Sequence, residues 1–308
     1  MLFKNLRLYR LTAPFDLSPE QLHQHLLDRA FRACTSLEHF SYGWAPPLGR
    51  RGVQLVHAAG GYLLVCARRE EKILPAAVIR DAVEEKAAAI EEQQGRPVRR
   101  RERSDLRDEM VQSLLPRALS RSTLTYAYID PKGGWLVIDS ANPRKADELV
   151  QLLRESLGTL ALQPPQVQSA PAAVMTRWLQ GQGLPADFSV GDECELRDTA
   201  EDGGVIRCRK QDLGADDVQA LLESGRQAVK LAVNWDARLS CVLADDLTVR
   251  RLRFEDVVQE EFGAAPTEDE VERFDAEFVM MTLELARFIS RLIEVFGGES
   301  EETYARSA

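Results

Sequence analysis

The sequence predicts an α+β fold: antiparallel sheets built from β-hairpins, with a helical hairpin projecting from them. Three observations carry this. Apolar runs pair up around turn residues at 53–69 and 122–139. Helical periodicity occupies separate segments after Pro75, at 143–157 and after Thr267. Strands and helices lack the regular βαβ alternation of a parallel sheet.

Along the chain, Phe3 to Leu11 reads as a strand. Ser18-Pro19-Glu20-Gln21 then carries a capping serine, proline at the first helical position and glutamine three residues after the cap, predicting a helix to about Ala30. "GWAPPLG" (43–49) reads as a proline-rich turn or loop. "VQLVHAAGGYLLVCARR" (53–69) predicts two strands around Ala-Gly-Gly. Pro75 opens a helix with Ile79, Val83, Ala87 and Ile90 on one stripe, and Gly95 and Pro97 interrupt it. A second helix is expected near Ser104, with Leu106, Met110 and Leu114 spaced by four. Nineteen helical residues extend about 30 Å, and the sparse stripe implies limited burial.

"STLTYAYID" and "GWLVID" predict a second β-hairpin, followed by an amphipathic helix at 143–157. "LQPPQVQSAP" (162–171) reads as a linker. Strands are expected at 203–209, 228–235, 239–244 and 247–254, the last two turning at Asp245-Asp246. Thr267-x-x-Glu270 is a capping box for a long helix to Gly297, with Phe274, Phe278, Met281, Leu285, Phe288 and Leu292 on one face. The expected parts are an N-terminal α+β part (1–70), a basic helical hairpin (71–121), a β-hairpin plus helix (122–162) and a C-terminal α+β part (172–308).

At 308 residues, 44% hydrophobic and 29% charged, the chain is a soluble globular type with room for two or three cores. No apolar run reaches the length of a membrane-spanning helix, and the N-terminus lacks a signal peptide's apolar block, which predicts a cytoplasmic protein. Its five cysteines, Cys34, Cys66, Cys194, Cys208 and Cys241, are scattered and predict reduced, mostly buried thiols.

The net charge of −10 is unevenly placed. Glu255 to Ala308 holds 15 acidic and 4 basic residues, so residues 1–254 carry a net of +1. "GRPVRRRERSDLR" (95–107) concentrates Arg96, Arg99, Arg100, Arg101, Arg103 and Arg107 around the helix break. Lys72, Arg80 and Lys86 precede them; Arg117 and Arg121 follow. Guanidinium suits phosphate because its planar fork donates two parallel hydrogen bonds and stays charged. The competing reading is a solvated helix surface laced with intrahelical pairs such as Arg80–Glu84. No aromatic residue lies between Tyr62 and Tyr126, so stacking platforms for single strands are missing from this stretch. No Asn or Gln beside the arginines suggests base-edge reading. Sequence-independent contact with a duplex backbone is the expectation.

No phosphate loop, zinc-protease helix or nucleophile elbow occurs. The histidines His23, His25, His39 and His57 show no metal-ligand spacing. Asp245-Asp246 and Glu201-Asp202 are the best carboxylate pairs; they suit Mg²⁺-dependent nuclease chemistry or, more simply, tight turns.

Several stretches together resemble the RdgC family of bacterial recombination-associated proteins: "FKNLRLYRL", "GWAPPLG", "CARREEKILPAAVIR", "SLLPRALSR", "EDGGVIRCRKQDL" and "RFDAEFVMMTLEL". They occur in family order across essentially the whole chain. The resemblance implies a DNA-binding protein without catalytic residues, metal or cofactor, nucleoid-associated and away from membranes. It implies a ring-shaped homodimer with a basic central hole that encircles duplex DNA, with single-stranded DNA as a further partner. It also implies restraint of RecA-promoted recombination, through the DNA or by direct contact with RecA, for which the acidic C-terminal helix is a candidate docking element. The expected DNA contacts are Lys72, Arg80, Lys86, Arg96, Arg99, Arg100, Arg101, Arg103, Arg107, Arg117, Arg121 and Lys210. Two family segments that close the ring match Leu115–Arg121 and Lys210–Leu213, placing Leu119, Lys210 and Gln211 at the dimer interface. Leu119 stands where the family pattern has phenylalanine, and burial in the chain's own core is the alternative for it; for Lys210 and Gln211 the alternative is ordinary strand-end surface.

Overall fold

The computed structural model describes residues 2–198, 200, 203–263 and 269–300. Its first sheet comprises β1 (Arg7–Leu11), β2 (Phe40–Ala45), β3 (Val56–Ala59), β4 (Tyr62–Lys72), β5 (Ser120–Asp130), β6 (Trp135–Ile138) and β7 (Leu162–Gln163). The order is β2-β4-β5-β6-β1-β7, with β3 also paired to β4. The second sheet comprises β8 (Phe188–Arg197), β9 (Val205–Arg209), β10 (Gln227–Trp235), β11 (Leu239–Ala244) and β12 (Val249–Phe254), in the order β12-β11-β10-β8-β9. The helices are α1 (Pro19–Leu27), α2 (Ala76–Gln94), α3 (Arg100–Leu114), α4 (Pro143–Leu157), α5 (Pro171–Leu179), α6 (Asp216–Glu223), α7 (Asp256–Gly263) and α8 (Glu270–Val295). All ladders are antiparallel, as the paired apolar runs predict.

The period of two in β4 and β5 gives the first sheet two apolar faces. Leu63, Val65, Ala127 and Ile129 pack with Leu22 and Leu26 of α1 and Leu149 and Leu153 of α4. Tyr62, Leu64, Tyr128 and Val137 face the other way, onto α8. Phe278, Met281, Leu285, Phe288 and Leu292 of α8 are buried between the two sheets. Phe278 meets Tyr128 of the first sheet, at 6.3 Å between ring centroids, and Phe288 meets Trp235 of the second, at 5.5 Å. A backbone bridge, Leu6 to Val249, joins the sheets directly. Fully burying each such aromatic contributes about 1.5–3 kcal/mol. The acidic C-terminal helix is therefore the central core element, and its apolar stripe is already occupied. Buried Glu284 on α8 is held by Arg238 at 2.9 and 3.0 Å.

The capping box at Ser18 forms: Ser18 N–H donates to Gln21 Oε1 at 2.9 Å, and Gln21 N–H to Ser18 Oγ at 3.2 Å. Elsewhere the chain corrects the sequence expectation. Gly43-Trp44-Ala45, expected in a loop, belongs to β2. Its glycine is required there, because a Cβ at Gly43 would lie 2.7 Å from the carbonyl of Arg29. The expected linker at 162–171 is packed: Leu162 and Gln163 pair with β1, and Ser169 N–H donates to the carbonyl of Phe296. β8, α5, α6 and α7 were not expected. Asp269 caps α8 by accepting from Val271 N–H at 2.8 Å; Thr267 lies outside the described residues. Strands from 1–70 and from 122–162 interleave within one sheet.

Candidate nucleic-acid interface

The helical hairpin is inserted between two neighbouring strands. Lys72 at the end of β4 pairs with Ser120 at the start of β5, and Ile73 N–H donates to the carbonyl of Leu119 at 2.7 Å. The β4–β5 ladder thus forms a stiff stem, and residues 74–118 extend beyond it. α2 and α3 share a small aliphatic core of Ile79, Val83, Ala87, Val98 and Leu106. None of these residues belongs to the two main cores. Gly95 ends α2 with φ of 64°, the left-handed conformation that suits glycine.

α3 begins at Arg100, four residues before the sequence expectation. Its start is capped by Glu102, whose carboxylate accepts from Arg99 N–H at 2.8 Å. The same carboxylate takes both terminal nitrogens of Arg96, at 2.8 and 2.9 Å. These Arg96 bonds, then the Arg99 amide, hold the Glu102 carboxyl down at about 2. The Val98 N–H donates to Glu91 Oε1 at 2.8 Å. The elbow is locked by its own acids, and Arg96 is spent on that lock.

Two other expected cations are also paired: Lys86 with Glu109 across the hairpin, and Arg121 with Glu71 across the stem. Lys72, Arg80, Arg99, Arg100, Arg101, Arg103, Arg107, Arg117 and Lys210 have no ion-pair partner among the described residues. The intrahelical Arg80–Glu84 pair does not form. Arg80, Arg99, Arg100, Arg101, Arg103, Arg107 and Arg117 are all exposed.

Helix geometry sorts these charges. The Lys86–Glu109 pair marks one lateral side of the hairpin. Arg107, two residues before Glu109, lies about 200° away around α3. Arg100, Arg103 and Arg107, spaced by three and four, share that opposite side as one row. Arg80 on α2, about 120° round from Lys86, falls on the same side as the row. Arg101 shares the rest of α3 with Glu102, Asp105, Asp108 and Glu109. The row presents unshared guanidinium forks on a rigid helix, an arrangement suited to successive anionic oxygens.

A match to a family sequence model described as "Putative exonuclease, RdgC" covers residues 1–299. The chain belongs to the RdgC family. Among its relatives, the Aeromonas hydrophila protein named "Recombination-associated protein RdgC" is 44% identical over 301 residues, covering 98% of this chain and 99% of that one. The Pseudomonas aeruginosa protein of the same name is 45% identical over 300 residues, covering 97% and 98%. That from Tolumonas auensis is 43% identical over 302 residues, covering 98% and 100%.

In this RdgC-family chain Leu119 is 79% exposed, so burial in its own core is ruled out for it. Lys210 and Gln211 are exposed just beyond β9, on the second sheet. They are thus on a different sheet from the hairpin. Asp246 accepts from Thr248 N–H at 3.0 Å and pairs with Arg7 at 3.1 Å, which is the behaviour of a turn carboxylate. Glu201 and Asp202 lie outside the described residues. No helix among the described residues is long and apolar enough to cross a membrane. Cys66, Cys194, Cys208 and Cys241 are buried free thiols, and burial pushes the Cys66 thiol up to about 12.

The sequence reading missed a second cationic surface, on the second sheet. Arg207, Arg209, Lys230, Arg250 and Arg251 line one cleft there. The signal was present in "VIRCR" and "VRRLRF", where arginines alternate with apolar residues on β9 and β12.

Proposed function

We propose that this protein is a non-catalytic, sequence-independent double-stranded DNA-binding protein. It acts as a ring-shaped homodimer that encircles the duplex and restrains RecA-promoted recombination in the nucleoid. The observation that carries this reading is the row of exposed, unpaired arginines on a rigid hairpin that is built as an insertion. Phosphate contacts position a protein without carrying sequence information, and this row offers no base-reading partner beside it. The relatives' recombination-associated name agrees with a DNA role. Leu119, held on the stem yet largely exposed, supports a contact with a second copy. Encirclement by such a pair would slow dissociation even where each phosphate contact is weak. RecA is restrained by occupation of the DNA its filament needs, or by direct contact. The test is binding of unrelated duplexes by the dimer. Equal affinities that weaken steeply with salt support the reading, and preference for one sequence opposes it.

The family's description as a putative exonuclease favours a second reading, a Mg²⁺-dependent nuclease using Asp245 and Asp246. Incubating duplex with protein and Mg²⁺ separates the two. Cleavage abolished by Asp245→Ala would establish the nuclease.

A further inference from the structure

We propose that the face of the second sheet turned away from the core carries a phosphate-binding cleft, formed by Arg207, Arg209, Lys230, Arg250 and Arg251. Along β8 and β9, Cys194, Leu196 and Cys208 point into the core. The residues between them, Glu193, Glu195, Arg207 and Arg209, therefore take the other face. Lys230 of β10 and Arg250 and Arg251 of β12 complete a cleft of about 340 Å³. This falls within the roughly 300–1,000 Å³ range of small-ligand sites.

Five cations meet two carboxylates there, leaving an excess of positive charge. Glu195 accepts from Arg207 Nε and Lys230 Nζ, both at 2.8 Å. Glu193 pairs with Arg251 at 2.7 Å and with Arg209 at 3.6 Å. Burial opposes ionisation of Glu195, but the Lys230 and Arg207 hydrogen bonds outweigh it and hold its carboxyl below the ordinary value. Both acids act as struts that hold cations from three strands across the sheet. Each guanidinium uses only part of its donor set on them, so forks remain for a ligand.

Arg250 carries the second observation. Its Nε is inaccessible to solvent and has no hydrogen-bond partner among the described residues. A buried unpaired donor is costly, and turning the Arg250 side chain outward onto an anionic oxygen in the cleft would relieve that cost. The backbone is shaped for the site as well. Arg251 holds φ of 51° at the register shift between β11 and β12, which turns two successive arginines toward one face. The Arg251 N–H donates to Asn5 Oδ1 at 3.3 Å, tying this bulge to the N-terminal segment.

The ligand chemistry is a phosphate, either of a DNA backbone or of a free phosphate compound. In its DNA form the inference rests on the duplex-binding reading; in its free form it stands apart. The test uses the full-length protein, the Arg209→Gln/Arg250→Gln variant, a duplex and pyrophosphate. For a backbone phosphate, the variant's salt slope falls by about 2, one for each lost contact, while the hairpin arginines keep their own share. For a free phosphate, pyrophosphate raises the thermal midpoint of the unaltered protein and not of the variant, with an unchanged duplex slope. If neither the slope nor the pyrophosphate response distinguishes the two proteins, the cleft binds no phosphate and the proposal fails. Should the double variant not fold, Arg209→Gln alone alters an exposed side chain and predicts a slope change of about 1.

Discussion

Lys72 and Ser120 face each other at the last rung of the β4–β5 ladder, and everything between them stands apart from the two main cores. Replacing residues 74–118 with a short turn should leave both sheets folded, because no core contact of α8, α1 or α4 is removed. Thermal unfolding followed by tryptophan fluorescence should stay cooperative, while duplex binding falls sharply. Loss of cooperative unfolding would show that the hairpin is part of the main core.

The row on α3 gives a graded test. Changing Arg100, Arg103 and Arg107 together to alanine should lower the magnitude of the salt slope by about 3. Affinity should fall alike for unrelated duplexes. Arg96→Ala should act differently, because its guanidinium is bound to Glu102. It should loosen the elbow with a smaller change in slope. Equal slope losses for Arg96 and for a row arginine would contradict the division between paired and free cations.

Leu119 separates folding from assembly. Being 79% exposed in one chain, Leu119→Ala should change unfolding free energy by no more than about 0.5 kcal/mol. Self-association, read by sedimentation, should weaken by about tenfold or more, equivalent to roughly 1.4 kcal/mol. Phe288→Ala, between the sheets on α8, should cost about 3–5 kcal/mol in urea unfolding. An unchanged dimer in the Leu119 variant would remove that residue from the interface.

Acid stability should report Asp187. Arg291 binds both its oxygens, at 2.8 and 2.9 Å, anchoring the start of β8 to α8. That hydrogen bonding chiefly lowers the Asp187 carboxyl from 3.8 to about 2. Because the folded value lies below the unfolded one, the contribution is complete above pH 3.8 and is lost as pH falls toward about 2. Asp187→Asn should flatten this part of the curve of stability against pH. A variant curve that parallels the parent's would contradict the assignment.

Much of this was legible in the sequence, and the exceptions have physical causes. The α2–α3 hairpin was visible because Ile79, Val83 and Ala87 keep a stripe that Gly95 and Pro97 break. The start of α3 was hidden, because its first turn is arginine and its cap is the Glu102 carboxylate acting from within the helix. β8 was hidden because Gly191, Asp192 and Glu193 interrupt its apolar pattern, and its pairing with β10 is itself irregular. Residues 43–45 were overshadowed by Pro46-Pro47, although the strand ends just before them. The arginine concentration was plain. Which arginines are free was not, since Lys86 meets Glu109 only once the helices fold back. The cationic cleft gathers residues from β9, β10 and β12, so no single stretch displays it.

The most direct measurement is the affinity of the intact protein for two unrelated duplexes over a range of salt concentrations. With six or more phosphates engaged, log K should fall against log salt with a slope of about −5 or steeper, the same for both sequences. A slope near −1, or a clear preference for one sequence, would contradict a grip made by backbone-bound arginines.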